Sequence, residues 1–318
     1  MIRIKRAGAE KRREQGAGPE SGGAWEPGAA PESDAVLEWK EVTVKTGTAA
    51  DEVSVPYLSF PLLERTGLVR HGFSTKLGGV SKGEFATMNF GVSRGDEPAC
   101  VLENFRRMGQ ALGVKPEQMV LSFQTHTVNI RRVTAKDGGK GVVRERGYTD
   151  VDGLITDEPG LCLVTLYADC VPLYFLDPVK RAIGLSHSGW KGTVAQMGRK
   201  TVEEMGKAFG SDPADILACI GPSICKDCYE VGPEVAEAFQ KAFAPEQAAE
   251  MLLAKDNGKY QLDLWEANRQ ILLEAGIRPE HLSVTDICTM CNSQWLFSHR
   301  ATGGRRGNLG AFLCIRDE

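Results

Sequence analysis

Residues 171–192 have the sequence VPLYFLDPVKRAIGLSHSGWKG, in which two apolar runs flank the segment Asp177-Pro178-Val179-Lys180. Proline and aspartate favour a tight turn, because proline presets φ and aspartate bonds to the nearby backbone. We therefore predict strands over 171–176 and 181–187 that pair as a hairpin. A connection this short permits antiparallel pairing, since parallel strands need a long crossover.

Apolar patterns on either side of this hairpin predict further strands and three helices. Strands are expected over 36–44, 68–73, 119–123, 128–133, 153–156, 161–166 and 216–220. Helices are expected over 97–112, 193–209 and 264–275. Asp96 and Asp263 are the expected N-caps of the first and the third helix. The mixture of hairpins and helices predicts an α+β fold, a layered sandwich of mixed, largely antiparallel sheets flanked by helices. No linker interrupts the pattern, so residues 35–318 are expected to form a single catalytic domain.

Residues 1–34 differ from the rest of the chain in composition. They are rich in Gly, Ala, Pro and charged residues, carry six Lys or Arg in their first half, and show almost no apolar periodicity. A segment with so little apolar surface cannot pack a core. We expect a disordered, basic, Gly- and Pro-rich tail rather than an arm that binds nucleic acid.

The bulk composition places the chain among ordinary globular proteins. It has 318 residues, 42% of them hydrophobic, and a net charge of -4, which does not mark a nucleic-acid binder. No apolar run approaches the ~20 residues of a membrane-spanning helix, and the basic N-terminus lacks the apolar stretch of a secretory signal, so we do not expect export. Nine cysteines are an odd number, which favours reduced thiols over a disulfide framework. We expect a cytoplasmic protein that contacts neither membrane nor nucleic acid.

Three side chains with metal-binding chemistry lie at the ends of predicted strands: His126, Cys170 and His187. Two imidazoles and a thiolate are a good zinc set that leaves a fourth position open, as in catalytic zinc sites. Their spacing matches no local metal motif, so other interpretations stay open. His126 and His187 could instead be satisfied by backbone hydrogen bonds, with Cys170 as a small buried hydrophobic residue. Alternatively, Cys170 and His187 could form a nucleophile–base pair oriented by Asp169. Both chemistries need a lowered thiol pKa, so the sequence does not separate them.

The segment SGWKGT, residues 188–193, leads directly into the predicted helix over 193–209. Backbone N–H groups at a helix N-terminus, with Lys191 close by, would bind an anion next to His187. The alternative is that the glycines only form a turn. Arg300 is a second candidate for contact with phosphate or a purine, or it is a surface ion-pair residue.

Two CxxC pairs, Cys225 with Cys228 and Cys288 with Cys291, lie about 60 residues apart. A structural zinc held by all four is one interpretation, but zinc-ribbon pairs are usually closer in sequence. A redox function would need a thioredoxin-like context that the pattern does not show. The sequence therefore favours packing in the core, with a Cys₄ zinc site as the alternative.

A series of motifs, taken in order, resembles the YfiH-type family, the purine nucleoside phosphorylases with a laccase-like domain. The matching segments are HGFST (71–75), GGVS (78–81), MNFG (88–91), QTH (124–126), DGLIT (152–156), ADC (168–170), HSGWKG (187–192), IGPSI (220–224), CYEV (228–231), DICTMC (286–291) and FSHR (297–300). The resemblance covers residues 55–318 and excludes the tail.

The resemblance implies an α+β fold and a zinc site at His126, Cys170 and His187. It implies phosphorolysis of adenosine, inosine, guanosine or methylthioadenosine, and adenosine deamination. In this interpretation Lys191, and with it Arg300, holds phosphate. Asp152 or Asp169 gives a proton to the departing base.

The same resemblance makes Ser74, Asn89 and Gln124 candidates for substrate contacts. The family was once called the multicopper polyphenol oxidases, and the composition of this chain does not support that name. Several copper ions need many imidazole ligands, and the chain has five histidines in total.

Three hypotheses for function follow. The first is a zinc-dependent purine nucleoside phosphorylase and deaminase. The second is a metal-free hydrolase that uses Cys170 and His187. The third is a non-catalytic partner protein that acts through the basic tail.

Overall fold

The structure, a computed structural model, describes Lys5, residues 36–46 and residues 51–317. The predicted tail therefore lies outside the described residues except for Lys5. The strands are β1 (Glu38–Thr46), β2 (Asp51–Ser59), β3 (Val69–Ser74), β4 (Met119–Leu121), β5 (Ile130–Arg132), β6 (Gly153–Thr156), β7 (Cys162–Tyr167), β8 (Val171–Asp177), β9 (Ala182–Ser188), β10 (Leu217–Ile220), β11 (Glu230–Val231), β12 (Leu252–Ala254), β13 (Tyr260–Leu262), β14 (Leu282–Val284) and β15 (Leu309–Ile315). The α-helices are α1 (Pro61–Glu64), α2 (Pro98–Leu112), α3 (Trp190–Val194), α4 (Met197–Phe209), α5 (Pro233–Ala242), α6 (Pro245–Met251), α7 (Leu264–Glu274) and α8 (His299–Thr302).

The strands form two six-stranded sheets and a small third sheet. The first sheet has the order β1-β2-β3-β15-β7-β4, the second β14-β10-β8-β9-β6-β5, and the third β11-β13-β12. Most neighbours are antiparallel, and the parallel pairs are β4 with β7, β5 with β6 and β10 with β14. The predicted hairpin is confirmed, because β8 and β9 pair from Val171 opposite Ser188 to Asp177 opposite Ala182. The α+β prediction is confirmed as well.

The two large sheets pack face to face, and helices cover their outer faces. Strand β8 shows the layering, because successive side chains of a strand point to opposite faces. Tyr174 and Leu176 pack between the sheets, whereas Leu173 and Phe175 pack towards α4 to α7. The hydroxyl of Tyr174 donates to the carbonyl of Gly72 across the sandwich, at 3.0 Å. Burial on both faces explains why this strand is almost continuously apolar.

Two helix predictions need correction. The helix expected over 193–209 is two helices, α3 and α4, separated at Gln196, whose φ of 64° no α-helix can contain. Asp96 does not cap α2: its carboxylate accepts from Asn89 and from the N–H of Glu97, and the helix begins after Glu97. The Asp263 cap is confirmed, since its side chain accepts from two N–H groups of α7. Strands β2 and β11 to β15 were not predicted. None of the helices in the described ranges is long and apolar enough to cross a bilayer.

Candidate metal-binding site

The hairpin brings two of the three predicted ligands to one edge of the second sheet. Cys170 directly precedes β8 and His187 lies near the end of β9, and antiparallel pairing places these strand ends side by side. His126, from the loop between β4 and β5, completes the group. One ligand atom from each residue lies within 4.8 Å of the others, and Cys170 Sγ is 4.0 Å from His126 Nε2. The predicted set therefore converges with the chemistry and spacing of a three-ligand metal site.

The carboxylate of Asp152 organises this group from behind. It is 0% exposed and accepts hydrogen bonds from the backbone of Thr125, His126 and Thr127, from the Thr127 hydroxyl, and from His187 Nδ1 at 2.8 Å. An ionised carboxylate only accepts, so Nδ1 of His187 carries a proton and the ring directs Nε2 towards the site. The same carboxylate fixes the loop in which His126 adopts a φ of 64°. Asp152 thus positions both histidines.

The electrostatics of the group favour an ionised thiol. Burial by itself would raise the pKa of Cys170, but the charge and hydrogen bonds of His187 and His126 lower this pKa to about 6. Burial would lower the pKa of His187, but the charge of Cys170 and the hydrogen bond to Asp152 raise it to about 9. Burial opposes ionisation of Asp152 too, yet His187 holds the pKa of Asp152 below its ordinary value. A thiolate is the form that ligates a metal.

Asp169 does not serve as the orienting group for His187. Its Oδ1 accepts from the hydroxyl of Thr289 at 2.6 Å and its Oδ2 from the N–H of Arg300 at 2.7 Å. The guanidinium of Arg300 donates to the carbonyl of Glu230 and lies over the ring of Tyr229. The partner of His187 is Asp152 instead, and Arg300 is exposed next to the site.

Two cavities meet at the group and share His126 and Cys170. The smaller, of about 280 Å³, has a mainly aromatic and apolar wall with one lysine: Trp190, Lys191, Ile224, Tyr229 and Leu264, with Asp169 and Thr125. The larger, of about 520 Å³, has a strongly basic wall: Arg94, Arg144, Arg146 and Arg306. Among the described residues that line it, Glu145 is the one that is acidic. The two sides of the site therefore offer different chemistry.

The predicted substrate contacts are distributed unevenly. Gln124 lines the larger cavity, but its amide bonds to both the N–H and the carbonyl of Leu166. Ser74 and Asn89 are 1% and 0% exposed and line neither cavity. Ser74 Oγ accepts from Gly310, while Asn89 bonds to the neighbouring loops. The structure does not bring Ser74 and Asn89 to the metal-binding group.

Arg306 is a residue of the site that the sequence did not predict. This side chain is 9% exposed, and its Nη1 donates to Gly307 and Asn308. None of the ion pairs that arginines form within the described part of the chain involves Arg306, and its buried Nε has no hydrogen-bond partner there. Burial, together with Arg94, lowers the pKa of Arg306 to about 10. The basic glycine-rich loop over 303–307 was visible in the sequence, but not which arginine turns inward.

An α+β sandwich with a His–Cys–His group between two cavities defines the class of protein. The family described as multi-copper polyphenol oxidoreductase laccase matches residues 70–316. The chain belongs to this family of enzymes. Among the described residues, His126 and His187 are the histidines that join a group with metal-binding spacing, which is one site rather than the ligand set of several coppers.

Relatives of the chain carry names from purine nucleoside chemistry. It is 39% identical to the purine nucleoside phosphorylase YlmD of Bacillus subtilis over 77% of this chain and 88% of that one. It is 32% identical to the adenosine deaminase RL5 of an unknown prokaryotic organism, over 74% and 90% of the two chains. The crystal structure of YlmD from Geobacillus stearothermophilus superposes with a TM-score of 0.77 at 34% identity, over 87% of this chain and all of that one.

Proposed function

We propose that this chain is a zinc-dependent purine nucleoside phosphorylase that also deaminates adenosine. Its substrates would be phosphate and a purine nucleoside, namely adenosine, inosine, guanosine or methylthioadenosine. The observation that carries the proposal is the convergence of His126, Cys170 and His187 where an apolar cavity meets a basic one. The names of the relatives support the same activities. We also propose a cytoplasmic location, with which the nine free cysteines are consistent.

The donor set fits zinc. Two imidazoles and an ionised thiol are ligands that zinc prefers, and the carboxylate of Asp152 behind His187 is the orienting partner that such histidines usually have. When bound, zinc supplies Lewis acidity at an open fourth position. His187 presents Nε2, since its Nδ1 proton is held by Asp152. His126 and Cys170 complete the set from the facing loops.

The smaller cavity suits the nucleoside. Trp190 and Tyr229 offer aromatic faces, and Ile224 and Leu264 add apolar surface that would exclude water from a purine ring. Lys191 lies in this same wall, with its ammonium 5.6 Å from the centre of the Trp190 ring. It is therefore placed to contact the nucleoside.

The larger cavity suits phosphate, and this changes the residue to which we assign the anion. From the sequence, phosphate was expected at Lys191 and Arg300, close to a helix N-terminus. The helix α3 that follows has five residues, so its dipole is small, and Arg300 is bonded to Glu230. Arg306 is a nearly buried cation without a carboxylate partner in the described residues, and planar guanidinium groups bind phosphate bidentately. We assign phosphate to Arg306.

Asp169 is the better candidate for the group that protonates the departing base. It lines the nucleoside cavity, and each of its oxygens accepts one hydrogen bond, which leaves lone pairs for a further partner. Asp152 is fully buried and its oxygens are occupied by five donors. We propose that Asp152 positions the metal ligands and that Asp169 gives the proton to the departing base.

One alternative has an observation in its favour. Cys170, His187 and Asp152 form a nucleophile, base and orienting carboxylate, with the thiol ionised by its neighbours. A metal-free hydrolase would use these three side chains in those roles. It gives no role to His126, whose ring approaches the same thiol from the opposite loop.

A single preparation tests the proposal. The purified protein is analysed for zinc and copper, and product formation from inosine and from adenosine is measured with and without phosphate. We expect zinc, phosphate-dependent cleavage of both nucleosides, and phosphate-independent deamination of adenosine. Stripping the metal with a chelator should stop turnover, and zinc should restore it. Full activity of the metal-free protein would favour the Cys170 hydrolase, and copper in place of zinc would contradict the metal assignment.

A further inference from the structure

Four cysteines outside the site described above converge from two segments that are distant in sequence. Cys225 and Cys228 follow strand β10, and Cys288 and Cys291 follow strand β14. These two strands are parallel neighbours, and the pairing continues as a bridge from Ser223 to Cys288. Because the two strands are parallel, both CxxC segments lie at the same edge of the sheet. The sequence spacing favoured a packing role for these cysteines, whereas the structure brings all four sulfurs together.

The spacing of the sulfurs suits one metal ion. All four Sγ atoms lie within 4.8 Å of one another, and those of Cys228 and Cys291 are 3.4 Å apart. A tetrahedral zinc with bonds of about 2.3 Å places its sulfurs roughly 3.8 Å apart. An iron–sulfur cluster would separate the cysteines further, because several iron and sulfide atoms lie between them. The geometry therefore matches a mononuclear site.

Backbone N–H groups around the sulfurs are placed to stabilise a negatively charged thiolate. The N–H groups of Cys225 and Cys291 both point at Sγ of Cys288, at 3.3 and 3.4 Å. A buried apolar thiol gains little from two donors, whereas a metal-bound thiolate is stabilised by them. Cys225 and Cys288 are 5% and 1% exposed, so the site is closed on its inner side.

We propose that Cys225, Cys228, Cys288 and Cys291 hold one zinc ion as a closed, structural Cys₄ site, separate from the site at His126. Four protein sulfurs complete a tetrahedron and leave no position for substrate. Thiolate ligands select zinc over magnesium or calcium.

The Cys₄ site joins the two segments that wall the nucleoside cavity. Thr289 lies between Cys288 and Cys291 and donates to the carboxylate of Asp169. Tyr229 directly follows Cys228 and lines the cavity. The ion therefore fixes the groups that would contact the nucleoside, without touching the substrate itself.

Metal analysis under reducing conditions tests this proposal. We expect two zinc ions per wild-type chain and one in Cys291→Ser, whose side chain is half-buried. Cys100→Ser, a cysteine outside both groups, is the matched control and should keep two. Cys170→Ala should also bind one, which shows that the two sites load independently. Wild type and Cys291→Ser with equal zinc content would overturn the proposal, whatever becomes of the nucleoside activity.

A measurement on wild-type protein covers the case in which Cys291→Ser does not fold. Cobalt replaces zinc, and the thiolate-to-cobalt absorption in the near ultraviolet grows with the number of thiolate ligands. Five thiolates are expected in total, four from the Cys₄ site and one from Cys170. Absorption typical of one thiolate would contradict the proposal, as would iron in place of zinc in the protein as purified.

Discussion

Replacing Asp152 by Asn tests how the histidine ligands are held. The two carboxylate oxygens share five donors: Oδ1 accepts from the N–H of His126 and from His187 Nδ1, and Oδ2 accepts from Thr125 and Thr127. Asparagine keeps one acceptor oxygen and presents an NH₂ group at the other position. In one orientation the NH₂ faces His187, whose proton must then move from Nδ1 to Nε2. In the other orientation it faces the backbone N–H groups that hold the loop of His126.

Either orientation disables one metal ligand. A protonated Nε2 cannot bind zinc, and a loop whose half-buried N–H groups lose their charged acceptor loses about 1–3 kcal/mol of stabilisation. Loss of such an orienting partner typically weakens metal affinity about ten- to a hundredfold, or roughly 1.4–2.7 kcal/mol. We expect the zinc dissociation constant of the His126 site to rise by that factor in Asp152→Asn.

The assay is competition for zinc with a chromophoric chelator at neutral pH. Asp150→Asn is the matched control, because Asp150 is exposed, bonds to the hydroxyl of Thr125, and has a φ of 54° that asparagine tolerates. The control should bind zinc like the wild type. If Asp152→Asn also binds zinc within twofold of the wild type, the positioning role of Asp152 is refuted. Melting curves with excess zinc show whether the variant is folded.

Four further predictions concern the site and the tail. Cys170→Ala should lose the zinc of this site, since two imidazoles hold it poorly; retention of that zinc would contradict the ligand set. Arg306→Met should raise the KM for phosphate about ten- to a hundredfold, the effect of roughly 1.5–3 kcal/mol from one charged hydrogen bond, and leave deamination almost unchanged. Lys191→Met should leave the phosphate KM within twofold, and a larger effect would return phosphate to Lys191. Deleting residues 1–34 should lower the melting temperature by no more than a few degrees and leave turnover unchanged. Lys5, the described residue of this tail, forms two hydrogen bonds through its backbone N–H and carbonyl with the side-chain amide of Asn292. A large drop in melting temperature would show that the tail packs on the fold.

The sequence by itself determined the features that depend on residues close together in the chain. The hairpin of β8 and β9 follows from two apolar runs and a Pro-containing turn, and the cap of α7 follows from Asp263 two positions before its partner N–H. The motif order identified the family, and with it His126, Cys170 and His187. These signals are local hydrogen bonds, periodicities and motifs, which need no knowledge of which strands become neighbours.

Only the tertiary structure decided what depends on sheet order and side-chain direction. Asp152 is bonded to a histidine 35 positions away because β6 lies beside β9, and the two CxxC pairs meet because β14 lies beside β10. The inward turn of Arg306 and the break at Gln196 are likewise set by packing rather than by propensity. Such contacts join residues that the chain separates by tens of positions, and their energies exist only once the two sheets have packed.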